Sequence, residues 1–359
     1  MGETRVDLLH LLEDLRDAYP GSLEETILTE VVANALDSTA TQIDLLVDTA
    51  ARTLTVVDNG VGMHRRDLAR YHDLAASTKE RGRGIGFAGV GIKLGLLACE
   101  EVFTESHRGS APVATGWHLA SRHRAPWKWV PAIGLLKAKG TAIRLTVQNP
   151  LSPLLDEGFV ETMLYRHYPS LLDPVFDPVL SSYYPKGVSL SVNGRLLKRV
   201  EEAAGEKSSL EILLARKRKP SAVGYLRRAA HPLPEEERGL AISTLGKVIK
   251  RGWDWLGISP LQSERMGGLI EVPALAASLT LNKGDFMRSG PRGATYLAFR
   301  KAIQETVLRQ LAVWGDERAP EEAARRKLTR PWERDLQRIL TDLTDQFPLL
   351  VSLVGEQKG

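Results

Sequence analysis

The spacing of polar and apolar positions changes several times along this chain. Residues 4–18 read as a helix closed by Tyr19-Pro20-Gly21, and residues 23–38 as a second, longer one. "TQIDLLVD" and "RTLTVVD" then alternate and are rich in β-branched residues. A short turn at "TAA" joins them, which predicts a hairpin. From Gly60 to Gly91 the apolar periodicity weakens and glycine recurs, which predicts a long, mobile connection. A short helix is expected over about 92–99. The strand-like runs "EVFTESHR", "VATGWHLA", "WKWVPAIG" and "GTAIRLTV" follow. Helices gathered on one face of mostly antiparallel strands make an α+β sandwich.

"NPLSPLLDEG" carries two prolines and ends the last of these strands, so a domain boundary is expected there. The second half has a helix over about 156–168, short strands such as "GVSLSVNG" and "GGLIEVP", and a helix over about 293–312. It reads as a second α+β unit. "GDERAPEEAARR" is a polar connection to a last helix near 330–345. The expected domains are therefore 1–149, 150–315 and a helical segment 316–359. No internal repeat is visible.

Composition narrows the class. With 43% hydrophobic and 26% charged residues, the 359-residue chain is an ordinary folded, soluble one, long for one core and natural for two domains. Its single cysteine, Cys99, excludes a disulfide framework and any multi-cysteine metal site within one chain. The first residues are acidic where a signal peptide needs a basic and then an apolar run. No apolar stretch approaches the ~20 residues of a membrane span. A cytoplasmic location and no membrane partner are the default expectation; "FPLLVSLVG" near the end is too short to span and is expected to pack on a partner or on the chain itself. The net charge of +4 is only mildly basic. The runs Arg216–Lys219 and Arg325–Lys327 read first as solvated loop or helix faces and only second as nucleic-acid contacts.

Four short motifs carry candidate chemistry. In "TEVVANALDS", Glu30, Asn34 and Asp37 are spaced i, i+4 and i+7 and share one helix face, with no basic residue among them. A solvated face usually mixes signs. Asn34 offers an amide oxygen, a hard ligand suited to Mg2+, and Glu30 could orient and deprotonate a water. In "VVDNGVGM", Asp58 ends a strand and suits an exocyclic amine donor. Gly60 and Gly62 let the backbone turn and lie flat against a base, with Met63 beside them. Asp-Asn-Gly is equally a plain turn signal. In "GIGFAGVGIKLG", Gly86, Gly89 and Gly91, with Val90, Ile92 and Lys93, lead into a helix whose N-terminus favours phosphate oxygens. This is neither a Walker loop nor a Rossmann fingerprint. In "KGTAIRL", Thr141 on a late strand could add a hydroxyl beside Asp58.

In this order and spacing the four motifs resemble the GHKL superfamily of ATPases, which includes DNA gyrase B, the ninety-kilodalton heat-shock chaperones, MutL and sensor histidine kinases. The resemblance covers about residues 20–147. It implies a Bergerat-type α/β sandwich that binds ATP and Mg2+, with Asp58 on adenine, Asn34 on the metal and Glu30 as an unpaired general base. Residues 60–91 would form a lid over the phosphates. "STKE", with Ser77, Thr78 and Lys79, precedes the glycine loop as in the chaperone, MutL and MORC branches. "GVGIKLG" and "TLNKGDF" resemble the MORC pattern most closely, and the latter implies that Lys283, in a transducer domain, reaches the γ-phosphate. The MutL loop reads Phe-Arg-Gly-Glu where this chain has "FAGVG". No phosphoacceptor helix of a histidine kinase stands upstream. The resemblance further implies an ATP-dependent homodimer that works as a clamp on DNA or as a switch for a protein partner. A MutL-like or chaperone-like ATPase and a nucleotide-sensing module with little turnover stay open.

Overall fold

The computed structural model describes residues 6–74, 82, 84–86, 89, 91–198, 205–214 and 219–316. Helix α1 (Leu8–Asp17) starts later than its spacing predicts, because the Asp7 carboxylate accepts the His10 N–H at 3.1 Å and caps it. In α2 (Leu23–Asp37) the Ser22 hydroxyl accepts the Glu25 N–H at 3.2 Å. Ten of its fifteen residues are buried, Glu30 among them, so this helix lies inside the fold rather than on its surface.

The expected hairpin forms as β1 (Gln42–Asp48) and β2 (Thr53–Asp58), paired antiparallel from Ile43 against Asp58 to Asp48 against Thr53. The segment after it is not one uninterrupted connection. Helix α3 (Arg65–Arg70) begins at His64, whose N–H is accepted by the Asp67 carboxylate at 3.3 Å. The expected helix at 92–99 is shorter and tighter: a 3-10 turn at Gly91–Leu94 leads into the single turn of α4 (Gly95–Ala98). Strands β3 (Cys99–His107), β4 (Val113–Trp117), β5 (Trp127–Val130) and β6 (Gly140–Val147) follow. After α5 (Glu157–His167), α6 (Pro169–Leu172) and α7 (Asp177–Leu180), the short strands β7 (Ser189–Val192) and β8 (Arg195–Leu196) return to this sheet.

Its eight strands run β5-β4-β3-β6-β2-β1-β7-β8, antiparallel throughout except for β1 against β7. Strands from both sides of residue 150 thus share one sheet. The second sheet is built from β9 (Gly205–Ile212), β10 (Ala222–Ala229), β11 (Gly239–Thr244), β12 (Lys247–Lys250) and β13 (Met266–Glu271), in the order β12-β11-β13-β10-β9. Of these, only β13 matches a strand expected from the sequence. Helix α8 (Gly290–Val313) follows. The mixed α+β architecture with an eight-stranded sheet is the expected class.

The main core joins Leu12, Ile27, Leu28 and Val31 of the first two helices to Ile43, Leu45, Leu54 and Leu145 of the sheet and to Val160 and Leu164 of α5. Among the described residues, those up to 258 together with 263–307 form one compact unit. Residues 259–262 with 308–316 belong to another, in which the Asp316 carboxylate accepts the N–H groups of Leu261 and Gln262 at 2.8 and 3.0 Å. The last helix expected near 330–345 and most of the two basic runs lie outside the described residues. No described helix is long and apolar enough to cross a membrane.

His72 links the stretch after α3 to the sheet. Its ring stacks on Trp127, centroids 4.3 Å apart at 11°. Nδ1 lies 3.4 Å from the Ala69 carbonyl, which can only accept, and Nε2 lies 3.2 Å from the Thr115 hydroxyl, which can donate. The neutral ring satisfies both, and burial pushes the pKa down to about 4. Unfolded, the ring binds a proton near pH 6.5; folded, only near 4. Stability from this residue is therefore fully present above about pH 6.5 and is lost as pH falls toward about 4. Urea midpoints are expected to drop across that window, and His72→Phe to flatten the drop. Parallel midpoint curves for the two proteins would contradict the assignment.

Candidate functional site

The residues singled out by the four motifs meet in one place. Glu30, Asn34 and Asp37 of α2, Asp58 at the end of β2, Gly62 and Met63 after it, Gly86, Gly89, Gly91, Ile92 and Lys93, and Thr141 of β6 all line a cavity of about 650 Å³. That size falls within the range of small-molecule sites, roughly 300–1,000 Å³.

The floor is set by strand register. Asp58 and Thr141 are direct partners across β2 and β6, and Thr141 in turn faces Ser106 across β6 and β3. The Asp58 Oδ1 accepts the Gly60 N–H at 2.8 Å and the Ser38 hydroxyl at 3.2 Å, which fixes the carboxylate's orientation. A Cβ on Gly60 would overlap the Ser38 hydroxyl, so the turn requires glycine; Gly60 itself is not part of the cavity lining. Ser106 accepts the Met63 N–H at 2.7 Å, and its Oγ lies 3.2 Å from the Thr141 hydroxyl. Ser38 and Ser106 escaped the sequence reading. The only signal for Ser106 is its strand position two residues after Thr104, on the same face.

Asp37 has a definite task. Its two carboxylate oxygens accept the N–H groups of Ile85 and Gly86 at 2.8 and 2.7 Å. An acid in the last turn of a helix is disfavoured by the helix dipole; two charge-assisted bonds offset that cost and tie the glycine segment to α2. The phosphate-favouring helix N-terminus expected at this segment is instead the 3-10 turn from Gly91. A Cβ on Gly91 would overlap the Glu30 side chain, so glycine is what lets this turn lie against α2. Lys93 is buried at 2% exposure, its Nζ 5.7 Å from the Tyr71 ring, and burial pushes its pKa down to about 8. Arg70, Tyr71 and Arg108 line the same cavity and were not anticipated.

Glu30 corrects the sequence expectation. It is not an unpaired acid: Lys283 Nζ donates to its Oε2, and Lys247 Nζ lies 3.8 Å from its Oε1. All three residues are buried. The physical reason is desolvation. A carboxylate at 2% exposure is costly unless a cation stands close, and the chain supplies one from β12 and one from the 280–286 loop. Lys283, expected at a phosphate, sits on the acid. It holds a left-handed backbone (φ 56°), uncommon for a lysine. Ser77, Thr78, Lys79 and Val90 lie outside the described residues.

The donor set suits a Mg-nucleotide. Asn34 offers a hard oxygen one turn from the buried Glu30, and Asp58 at the floor offers an acceptor fixed by Ser38 and Gly60.

Comparison with known proteins agrees with this chemistry. Residues 22–131 match the family described as histidine kinase-, DNA gyrase B-, and HSP90-like ATPase. The match supports the GHKL superfamily for this segment. The chain is also similar to the chaperone protein HtpG of Verminephrobacter eiseniae, 25% identical over 199 residues, which cover 47% of this chain and 29% of the chaperone. HtpG of Psychrobacter cryohalolentis is 25% identical over 151 residues, covering 37% and 22%. HtpG of Polaromonas naphthalenivorans is 24% identical over 144 residues, covering 36% and 23%. The aligned parts span less than a third of these relatives' length. The GHKL-type match takes in Glu30, Asn34, Asp37, Asp58 and the whole glycine segment, and stops before Thr141.

Asp37→Ala removes the bonds to Ile85 and Gly86. Each charge-assisted bond contributes about 1.5–3 kcal/mol. Hydrogen exchange at Ile85 and Gly86 is expected to speed up by at least tenfold, with α1 unaffected. Unchanged exchange at both amides would show that the segment is held by other contacts.

Proposed function

We propose that the chain binds Mg-ATP in this cavity and hydrolyses it, and that the cycle of closure and release drives a conformational clamp or switch. The observation that carries the reading is the convergence of Glu30, Asn34, Asp58, Gly91 and Thr141, from four separate stretches of sequence, on one cavity. Asp58, with Thr141 beside it, would accept the adenine amino group. Asn34 would hold Mg2+, which supplies charge neutralisation on the phosphate oxygens when bound. The backbone around Gly86, Gly89 and Gly91, with Ser77, Thr78, Lys79 and Val90, would enclose the phosphates as a lid. Glu30 would take the proton of the attacking water, and Lys283 would leave Glu30 for the terminal phosphate.

In this reading residues 1–149 bind nucleotide, 150–315 transmit the change, and 316–359 form a helical extension. The resemblance of "GVGIKLG" and "TLNKGDF" to the MORC pattern supports an ATP-dependent homodimer that acts as a clamp on DNA or on a protein client in the cytoplasm. A second reading, a chaperone-like ATPase, is favoured by the similarity to HtpG.

Glu30→Gln is expected to keep Mg-ATP affinity and lose about 10²- to 10⁴-fold in single-turnover hydrolysis. Asp58→Asn is expected to weaken binding itself, because the amide can turn a donor toward the adenine amine. Calorimetric titration with a non-hydrolysable analogue, beside quench-flow, separates the two effects. If Glu30→Gln lost affinity while hydrolysis per bound ATP stayed normal, the roles would have to be reassigned.

Sedimentation of Glu30→Gln with saturating ATP is expected to show a dimer where the nucleotide-free chain is monomeric or weakly associated. A monomer under both conditions at micromolar concentration would remove the clamp. Duplex DNA binding that strengthens with ATP and falls steeply with salt would favour the DNA reading over the chaperone-like one.

A further inference from the structure

The site holds two buried lysines on one acid, and only one of them has a task in the hydrolysis just described. Lys247 follows a two-residue turn, Leu245–Gly246, between the paired residues Thr244 and Lys247. Both turn residues have positive φ, 51° and 87°, which makes it a type I′ hairpin turn. The turn is held from several sides. The Tyr184 hydroxyl donates to the Leu245 carbonyl at 3.0 Å, Gly246 N–H donates to Glu271 at 3.3 Å, and a Cβ on Gly246 would meet the Leu171 side chain. Lys247 therefore delivers its charge from a braced hairpin. Lys283 delivers its own from a loop, between Asn282 and Gly284.

We infer that Lys247 is a positioning residue: it keeps the Glu30 carboxylate charged when Lys283 leaves it for the nucleotide. The inference rests on the general-base reading of Glu30. Drawing Lys283 away takes one cation from a carboxylate at 2% exposure, which favours the protonated form, and a protonated Glu30 could no longer accept a proton from water. Lys247 prevents this without competing for the water. At 3.8 Å its Nζ lies beyond hydrogen-bond reach, so it acts through charge rather than by occupying a lone pair.

The surroundings fit that task. Lys247 faces Glu25, Glu30 and Asp37 of α2, together with Lys283. His167 of α5 feels its charge and is pushed down by burial, and the neutral ring bonds Glu25 through Nε2 at 2.6 Å. Glu30 in turn faces the phenols of Tyr19 and Tyr168, both raised by burial and therefore uncharged. Burial pushes Lys247 down to about 8, with Glu30 pulling the other way. Below that pH it carries its charge, so it is fully cationic across the acidic range where Glu30 would begin to protonate.

Single-turnover hydrolysis of Mg-ATP by the full chain, followed from acid to neutral pH, tests this. Lys247→Met is expected to move the acid limb upward by about one to three pH units, the usual effect of a single opposite charge at this distance. Affinity for Mg-ATP above the limb should stay as in the wild type. Lys247→Arg should restore the limb. If Glu30→Gln is inactive while Lys247→Met keeps the wild-type limb, the inference falls and the general-base reading stands. If Glu30→Gln hydrolyses normally, the general-base reading falls and takes the inference with it. Should Lys247→Met fail to fold, isotope-edited infrared of 13C-glutamate in the unmutated chain with Mg and a non-hydrolysable analogue decides, with Glu30→Gln as the subtraction. A Glu30 carboxylate still ionised at about pH 6 supports the inference, and one protonated there overturns it.

Discussion

A charge almost cut off from bulk solvent has to be neutralised where it stands. Glu30 is such a charge, in the middle of a helix buried on nearly every side. Two of its partners come from a hairpin and a loop more than two hundred residues further along the chain. The acid thus ties the wall of the cavity to the later part of the protein. Removing one member of such a buried set costs about 3–5 kcal/mol, because it strands the others. Anything that draws Lys283 away must therefore offer it a better anion. In the proposed cycle a nucleotide's terminal phosphate would meet that condition, and bulk water would not.

The cavity was largely legible in the sequence because its residues sit at positions set by local geometry. Glu30, Asn34 and Asp37 share a face through helical spacing alone. Asp58 ends a strand where a turn signal begins. Thr141 meets Asp58 because two antiparallel strands pair in one register. The pairing of Glu30 was not legible. "GKVIK" is not among the expected strands, and nothing local shows that Lys247 points inward. The same holds for Ser38, which looks like an ordinary helix C-cap until the Asp58 carboxylate is placed beside it.

The second sheet was hidden for a related reason. Strand β9, "GEKSSLEI", lies at the sheet's edge, with most of its side chains exposed and only Leu210 and Ile212 buried. An edge strand needs few apolar residues and so carries little signal. β11, "GLAIST", is buried throughout and shows no alternation, which is the ambiguity of a short apolar run. Asp37 was recognised as part of the site, but its use as an anchor for two backbone amides depends on where the glycine segment returns, which no local pattern specifies.

The parallel pairing of β1 with β7 bears on how the chain comes to be folded at all. β1 is complete once Asp48 has been made, yet the neighbour that covers its outer edge begins only at Ser189. During synthesis the first six strands can assemble while that edge stays open, and an open edge invites pairing with any extended chain nearby. A fragment ending near residue 150 would be held permanently in that condition. The ribosome must therefore emit the start of the second half before the first is safe from aggregation, and an expression boundary drawn at the proline-rich junction would cut the protein at its most vulnerable stage.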